Sequence, residues 1–225
     1  MLTKDNTVIL ACSSMLLHVD AAQKKMGTAF DVIELDRDNH VYPEKMKACI
    51  QKALGELPFS TENVLAAMGY CGGSWDGIET VRRVVIPHMD DCITILLHTD
   101  DTPHLNLKEK GHMYLRDSDV GQYGIKSMKD SMCKQYGMEF GTSIFGSFFQ
   151  NYSNADIIDT GAYDCYSEAF AAEAQENADL IRCALDYVQG SNLILEKLVS
   201  GRWDEQFKVF EKGTVINGRE FCEIL

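Results

Sequence analysis

The sequence predicts an α/β fold: a mostly parallel sheet flanked by helices on both faces and built from two βαβ-type halves. Three observations predict it. Short apolar runs alternate with amphipathic helical stretches from the first residues onward, the pattern of parallel strands joined by helical crossovers. The run at 63–69 is apolar almost throughout, as a strand covered on both faces must be. A chain of 225 residues, 45% of them hydrophobic, can also bury a full core.

Taken in order, residues 7–12 (Thr-Val-Ile-Leu-Ala-Cys) read as the first strand. Ser13 or Ser14 can cap a helix through about Lys25, on which Met15, Leu16, Val19, Ala22 and Met26 recur at helical spacing, and Gly27 ends it. Residues 30–35 alternate as a second strand. Pro43-Glu44 opens a helix that carries Met46, Ile50 and Leu54 on one face and stops at Gly55 and Pro58. After the third strand at 63–69, a helical turn near 75–80 leads to a fourth strand at 81–86, ended by Pro87, and 93–97 continues as an apolar helical segment. The polar stretch 98–110 is long for a loop inside a compact domain, so it reads as a boundary or lid. The expected division is therefore an N-terminal α/β half at 1–97, the loop at 98–110, and a C-terminal α/β half at 111–225 packed as one compact unit with the first.

In that second half, 111–116 resumes a strand and two helices follow at 122–136 and 139–151. Residues 156–161 read as a strand and tight turn, 164–178 as a helix, 181–188 as a strand, 192–199 as a helix ended by Gly201, and 206–210 as a last parallel strand. Asn217-Gly218 suits a terminal hairpin or a plain surface turn equally well.

Composition narrows the function classes. With 21 basic and 34 acidic residues the net charge is −13, which repels phosphate backbones and anionic lipid, so nucleic acid and membrane surfaces are poor partners. No apolar run reaches the length of a membrane-spanning helix. The eight cysteines read as reduced thiols, because disulfide scaffolds are shorter and denser in cysteine and no secretion signal is visible. The expected compartment is the cytoplasm.

Three of those cysteines share one placement. Cys12, Cys71 and Cys92 each follow an apolar strand, and in an open parallel sheet the carboxyl ends of the strands line the edge where ligands bind. If the strand order is of the 2-1-3-4 kind, the three strands are neighbours about 5 Å apart and the thiols can converge. Three thiolates would hold zinc, or one iron-sulfur cluster of the 4Fe-4S type, with a coordination position left open for chemistry. The helix after Cys12 and the Gly72-Gly73 pair after Cys71 offer backbone N–H groups that lower a thiol's pKa and form a cofactor-binding cradle. His88 is the candidate fourth ligand or acid–base group, and is equally well a satisfied polar residue. Asp159, at another strand end, can serve as a catalytic or substrate-orienting carboxylate, or simply make the turn at Gly161. Asp90 and Asp91 read as helix caps.

The plain alternative is that cysteine at a strand end packs as a small hydrophobe. Only the shared placement separates the three from Cys49, Cys133, Cys165, Cys183 and Cys222, which read as structural. His18, His40, His98, His104 and His112 are scattered and read as surface or packing residues. The chain shows no nucleotide fingerprint, phosphate loop or catalytic triad, and no Cys-x-x-Cys pair for thiol redox work.

Ala11-Cys12, Gly69-Tyr70-Cys71-Gly72-Gly73 and the run Pro87-His88-Met89-Asp90-Asp91-Cys92-Ile93-Thr94-Ile95-Leu96-Leu97 resemble the family catalogued as domain of unknown function 1638. Ile158-Asp159-Thr160-Gly161 and the block at 190–204 are similar to its later motifs. The resemblance places the family's three most recognisable cysteines on Cys12, Cys71 and Cys92. The chain departs from the family at Ser13 and His98, where glycine is usual. Members are often encoded beside corrinoid-dependent methyltransferases and corrinoid proteins, so the resemblance implies a role in anaerobic one-carbon metabolism with such a protein as partner. Two functions are expected on this basis. One is a metal-binding protein, enzymatic or accessory to methyl transfer; the other is a non-catalytic module that grips a corrinoid protein or tetrapyrrole.

Overall fold

Thr7–Cys12 is β-branched or apolar along its length and buried at every position, so it forms an interior strand, β1. The computed structural model describes residues 1–221. A 3-10 turn, Ser13–Met15, runs from β1 into α1, Leu16–Met26, which Gly27 closes in the left-handed region at φ 69°. Because that turn intervenes, neither serine caps α1. Ser13 Oγ accepts a bond from Arg37 N–H at 3.0 Å, and Ser14 Oγ lies 3.1 Å from Cys12 Sγ. β2, Asp31–Leu35, is followed by α2, Pro43–Gly55, with proline at its start and Met46, Ile50 and Leu54 buried as their spacing predicts.

β3, Asn63–Ala67, and β4, Arg83–Pro87, complete the parallel run, and α3 is Cys92–Leu97. β4 starts two residues later than the apolar pattern suggests, since Val81 is exposed. The helical turn expected near 75–80 lies earlier, as a 3-10 turn at Cys71–Gly73; Trp75 is fully buried and Glu79 bridges Val215 instead. The later elements are β5, His112–Leu115; α4, Ile125–Tyr136; α5, Met138–Phe149; β6, Asn154–Asp159; α6, Glu168–Ile181; β7, Ala184–Gln189; α7, Leu193–Ser200; and β8, Phe207–Phe210.

The chain forms two compact units: Met1–Leu107 with Ser191–Leu225, and Lys108–Gly190. The first contains a five-stranded sheet in the order β2-β1-β3-β4-β8. β1, β2, β3 and β4 are parallel, so the 2-1-3-4 order on which the thiol argument depends is present. The crossover through α1 steps one way from β1 and that through α2 steps the other way. Right-handed connections therefore put the two helices on opposite faces, and the order reverses between β1 and β3.

β8, expected to be parallel, is antiparallel to β4. The reason is where the chain enters it. Gln206 O accepts the N–H of His88, just past the carboxyl end of β4, at 2.8 Å, so the strand that follows must run back down. Asn217-Gly218 opens a 3-10 turn, Gly218–Phe221, and not a hairpin. Among the described residues no helix is long and apolar enough to cross a membrane.

The polar stretch after α3 is not loose. Leu105 O accepts Asp90 N–H at 2.9 Å, and the Gln206 side-chain amide donates to Asp100 O (2.9 Å) and Thr102 O (3.1 Å). Beneath it the Lys197 ammonium, 3% exposed, reaches Asp101 Oδ1 (2.9 Å), Gln206 Oε1 (2.6 Å) and the Asp204 carboxylate.

The second unit has a parallel sheet, β5-β6-β7. Its core joins Leu115 and Ile157 to Phe145, Phe149, Ala174 and Ile181. α6 begins at Glu168 and not at Asp164, whose carboxylate accepts Tyr166 N–H in a turn, and it runs on to Ile181. Arg182 turns left-handed at φ 59°, which delays β7 to Ala184. On one face of this sheet His112 Nδ1 meets Asp156 Oδ2 at 2.6 Å. That bond raises the imidazole pKa above its ordinary 6.5. A raised histidine contributes stability that is complete below its unfolded value and lost as pH climbs through the folded one. The chain is therefore expected to lose stability from about pH 6.5 upward, and Asp156→Asn to flatten that slope. Denaturant melts of both proteins at pH 6 and pH 9 check this; equal slopes would rule the pair out as the source.

Candidate thiol site at the sheet edge

The carboxyl ends of β1, β3 and β4 deliver the three cysteines to one edge. Cys12 is the last residue of β1 and wholly buried. Cys92 is the first residue of α3 and also buried. Asp91 caps that helix through Thr94 N–H (2.9 Å), as its position suggests, whereas Asp90 accepts the Thr94 hydroxyl (2.5 Å) and so braces the cap from the side. Cys12 and Cys92 are neighbours there, near enough for the Cys92 side chain to act on the Cys12 thiol. The described cysteines are all free thiols. Cys222, expected to be structural, lies outside the described residues.

Cys71 is carried to the same edge by backbone pairing beyond the strand ends. Tyr70 N–H donates to Met89 O at 2.8 Å and Cys71 N–H to Asp90 O at 2.7 Å. The approach is close enough to require glycine at 69. Cys71 itself has φ 50°, an uncommon conformation for a residue with a Cβ, followed by Gly72 at 66° and Gly73 at 96°. Ser74 Oγ donates to Cys71 O at 2.8 Å and ties this turn off. The glycine pair thus bends the backbone around Cys71, which is half-buried.

The electrostatics run against one expectation. Cys12 was to have a lowered pKa; its thiol is pushed up to about 12, first by the hydrogen bond with Cys92 and then by burial, with His40 pulling the other way. Two thiols sharing a desolvated place hold each other protonated. A bound cation would reverse that balance, since the thiolate is the ligating form.

His40 was read as surface or packing, yet it stands at the site. Its Nδ1 is 3.8 Å from Cys12 Sγ, and its Nε2 is buried without a hydrogen-bond partner. It lies in the 3-10 turn Arg37–Val41 after β2, placed by the Ser13–Arg37 bond and by Asp36, whose carboxylate accepts Asp38 N–H at 2.9 Å. The signal was available: β2 neighbours β1, and His40 follows the carboxyl end of β2 as the cysteines follow theirs.

His88 faces the C-terminal turn. Its ring is edge-on to Phe221 at 5.7 Å, and Phe221 stacks on Tyr70 at 4.6 Å. Burial, then the nearby Lys208, lowers its pKa, so the ring is neutral at pH 7. Asp159 belongs to the second unit. It accepts Gly161 N–H (3.1 Å), the Tyr166 hydroxyl (2.9 Å) and the Cys165 thiol, all from the turn that follows it. Burial and then Asp159 push that thiol up to about 11.

The donors fit a thiophilic ion in kind: two buried neighbouring thiols, an imidazole on one of them with an orphaned second nitrogen, and a third thiol on the adjoining turn. As arranged, no group of three His, Cys, Asp or Glu side chains among the described residues is set to hold a metal. The side chains of Cys71 and His40 would have to close on the Cys12–Cys92 pair.

No curated protein and no solved structure matches the chain. A family model does, over residues 35–199, a stretch that includes His40, Cys71, His88 and Cys92 and begins after Cys12. That match covers well over half of the sequence, and the chain belongs to the family described as protein of unknown function (DUF1638).

Proposed function

We propose that the carboxyl edge of the first sheet is a thiophilic metal site, in which Cys12, Cys92 and Cys71 take up zinc or a 4Fe-4S cluster, and that the protein serves corrinoid-dependent methyl transfer in anaerobic one-carbon metabolism. The observation that carries the first part is the Cys12–Cys92 pair, two buried neighbouring thiols at the carboxyl edge of the sheet beside its topological switch point. The pathway rests on the resemblance and on nothing in the geometry. When bound, such a centre supplies Lewis acidity or electron transfer. The chain's own part is to bury Cys12 and Cys92, to cap α3 so that Cys92 is held at its first turn, and to bring Cys71 in on the Gly72-Gly73 bend. His40, whose Nδ1 lies 3.8 Å from Cys12 Sγ, can complete the ligand set.

Metal analysis and an ultraviolet–visible spectrum of protein purified without oxygen test this. Stoichiometric zinc in a colourless protein, or iron and sulfide in a brown one, is the expected result, with Cys12→Ser and Cys92→Ser each lowering the metal content at least tenfold. Full-length folded protein that neither retains nor takes up zinc, iron or a reconstituted cluster would leave the thiols as packing, and the non-catalytic binding module as the better reading.

A further inference from the structure

The second unit presents an apolar surface that its own fold leaves uncovered. α5 carries one charged residue, Glu139, and a helix apolar on nearly every side is ordinarily enclosed. One side of it is. Phe145 and Phe149 lie in the unit's core, and Gly141 meets α4 so closely that a Cβ there would stand 2.6 Å from Cys133 Cα. On the other side Phe140 is 63% exposed and Phe148 59%, with Ile144 half-buried between them. The patch continues through Tyr136, whose ring is edge-on to Phe140 at 6.3 Å, and Met138 at one end, and Tyr152 at the other. Between the rings the exposed positions are small, Thr142, Ser143, Gly146 and Ser147, and a Cβ added at Gly146 would touch nothing.

We propose that this face is the interface of a two-fold dimer, its occupant a second copy of the chain. On α5 itself Phe140, Ile144 and Phe148 step by four and have the same order read in either direction. A two-fold interface requires just such a self-complementary patch, in which one residue meets another and the reverse pair is formed as well. An axis passing Ile144 sets Phe140 against Phe148 of the partner subunit, and its ring over the hollow left by the small residues, as packing of ridges spaced four apart needs.

Size and charge favour this occupant. A large aromatic carries about 150–250 Å² of surface, so the exposed parts of the four rings amount to roughly 400 Å² per copy; with Met138 and Ile144, pairing covers roughly 1,000 Å², where specific interfaces begin. The net charge of −13 makes other face-to-face contacts between copies repulsive, and repels an anionic membrane too, whereas α5 carries a single carboxylate, Glu139.

Sedimentation velocity on the full chain at micromolar concentration tests the proposal. The expected species has twice the 25.2 kDa mass of the chain. F140D/F148D is expected to weaken association at least tenfold with far-ultraviolet circular dichroism unchanged. G146R fills the hollow while leaving every ring in place, so it gives the same loss without touching the aromatics. A wild-type monomer, or a dimer that survives in both variants, overturns the proposal. A monomer that instead co-sediments with vesicles of phosphatidylcholine and phosphatidylglycerol overturns it in favour of a lipid surface.

Discussion

Gly69→Ala is expected to destabilise the protein by about 3 kcal/mol, at the upper end of what overpacking a buried site costs. A Cβ at 69 would stand 2.7 Å from both the Cα and the N of Asp91 and 2.9 Å from its carbonyl carbon. All three are backbone atoms, so no side chain can swing aside. Nor is the Asp91 segment free to retreat. The bonds Tyr70 N–Met89 O and Cys71 N–Asp90 O clamp it from one side, and the Asp91 cap on Thr94 fixes it to α3 on the other. For a chain of this length each kcal/mol moves the melting temperature by about 2–4 °C, so a fall of roughly 6–12 °C is expected in a thermal melt. Gly55→Ala is the control: it ends α2, meets nothing within 4 Å and should leave the melt unchanged or slightly raised. A Gly69→Ala protein that melts within a degree or two of wild type would show that the two loops are not clamped. Gly69→Ala also displaces the Asp91 segment that leads into Cys92, so on the proposed metal site it should reduce metal uptake even in the fraction that folds.

Much of this arrangement was legible because it follows from local rules. Apolar runs, and helical spacing at Met46, Ile50 and Leu54, were enough to read a run of parallel strands with a cysteine at or after the ends of three of them; that the order is β2-β1-β3-β4, on which their convergence depends, comes from the structure. What failed was set by long-range contact. The direction of β8 depends on where Gln206 meets His88, a pairing across more than a hundred residues that no window of sequence contains. His40 is less legible than the cysteines because β2 is exposed at most positions, so its end is less marked in sequence than the ends of the apolar strands. His88 sits beside Cys92 in sequence but turns to Phe221, because a side chain four residues before a helix start is aimed by the strand it leaves. The raised pKa of Cys12 was out of reach for the same reason, being a property of the pair and not of either thiol.

Lys197 carries the second large effect. Its side chain is 3% exposed, yet its charge is retained: burial works against the ammonium, and the bonds to Asp204 and Asp101 outweigh it, raising the lysine above its ordinary value. Breaking a buried pair costs about 3–5 kcal/mol when the surviving charge stays buried. Here the carboxylates do not. Asp101 is 80% exposed at its side chain and Asp204 44%, so both can rehydrate once the lysine is gone. The loss falls instead on Gln206, wholly buried, whose Oε1 loses its donor at 2.6 Å while its Nε2 still holds Asp100 and Thr102. An unsatisfied buried acceptor costs about 1–3 kcal/mol, so Lys197→Met, which keeps the volume, is expected to lose roughly 2 kcal/mol. Lys197→Ala adds a cavity and should lose roughly 4 kcal/mol. The pH dependence gives the pair a signature. Asp204 is held below its ordinary 3.8 because Lys197 and the Gln206 N–H outweigh its partial burial. A depressed carboxylate contributes stability above its unfolded pKa and loses it as pH falls through the folded one, so acid should narrow the gap between wild type and Lys197→Met below about pH 4. Denaturant melts at pH 7 and pH 3 measure both effects. A Lys197→Met protein as stable as wild type at pH 7 would mean that Gln206 alone anchors the 98–107 stretch, and a gap undiminished at pH 3 would place the whole loss in the Gln206 hydrogen bond and none in the ion pairs.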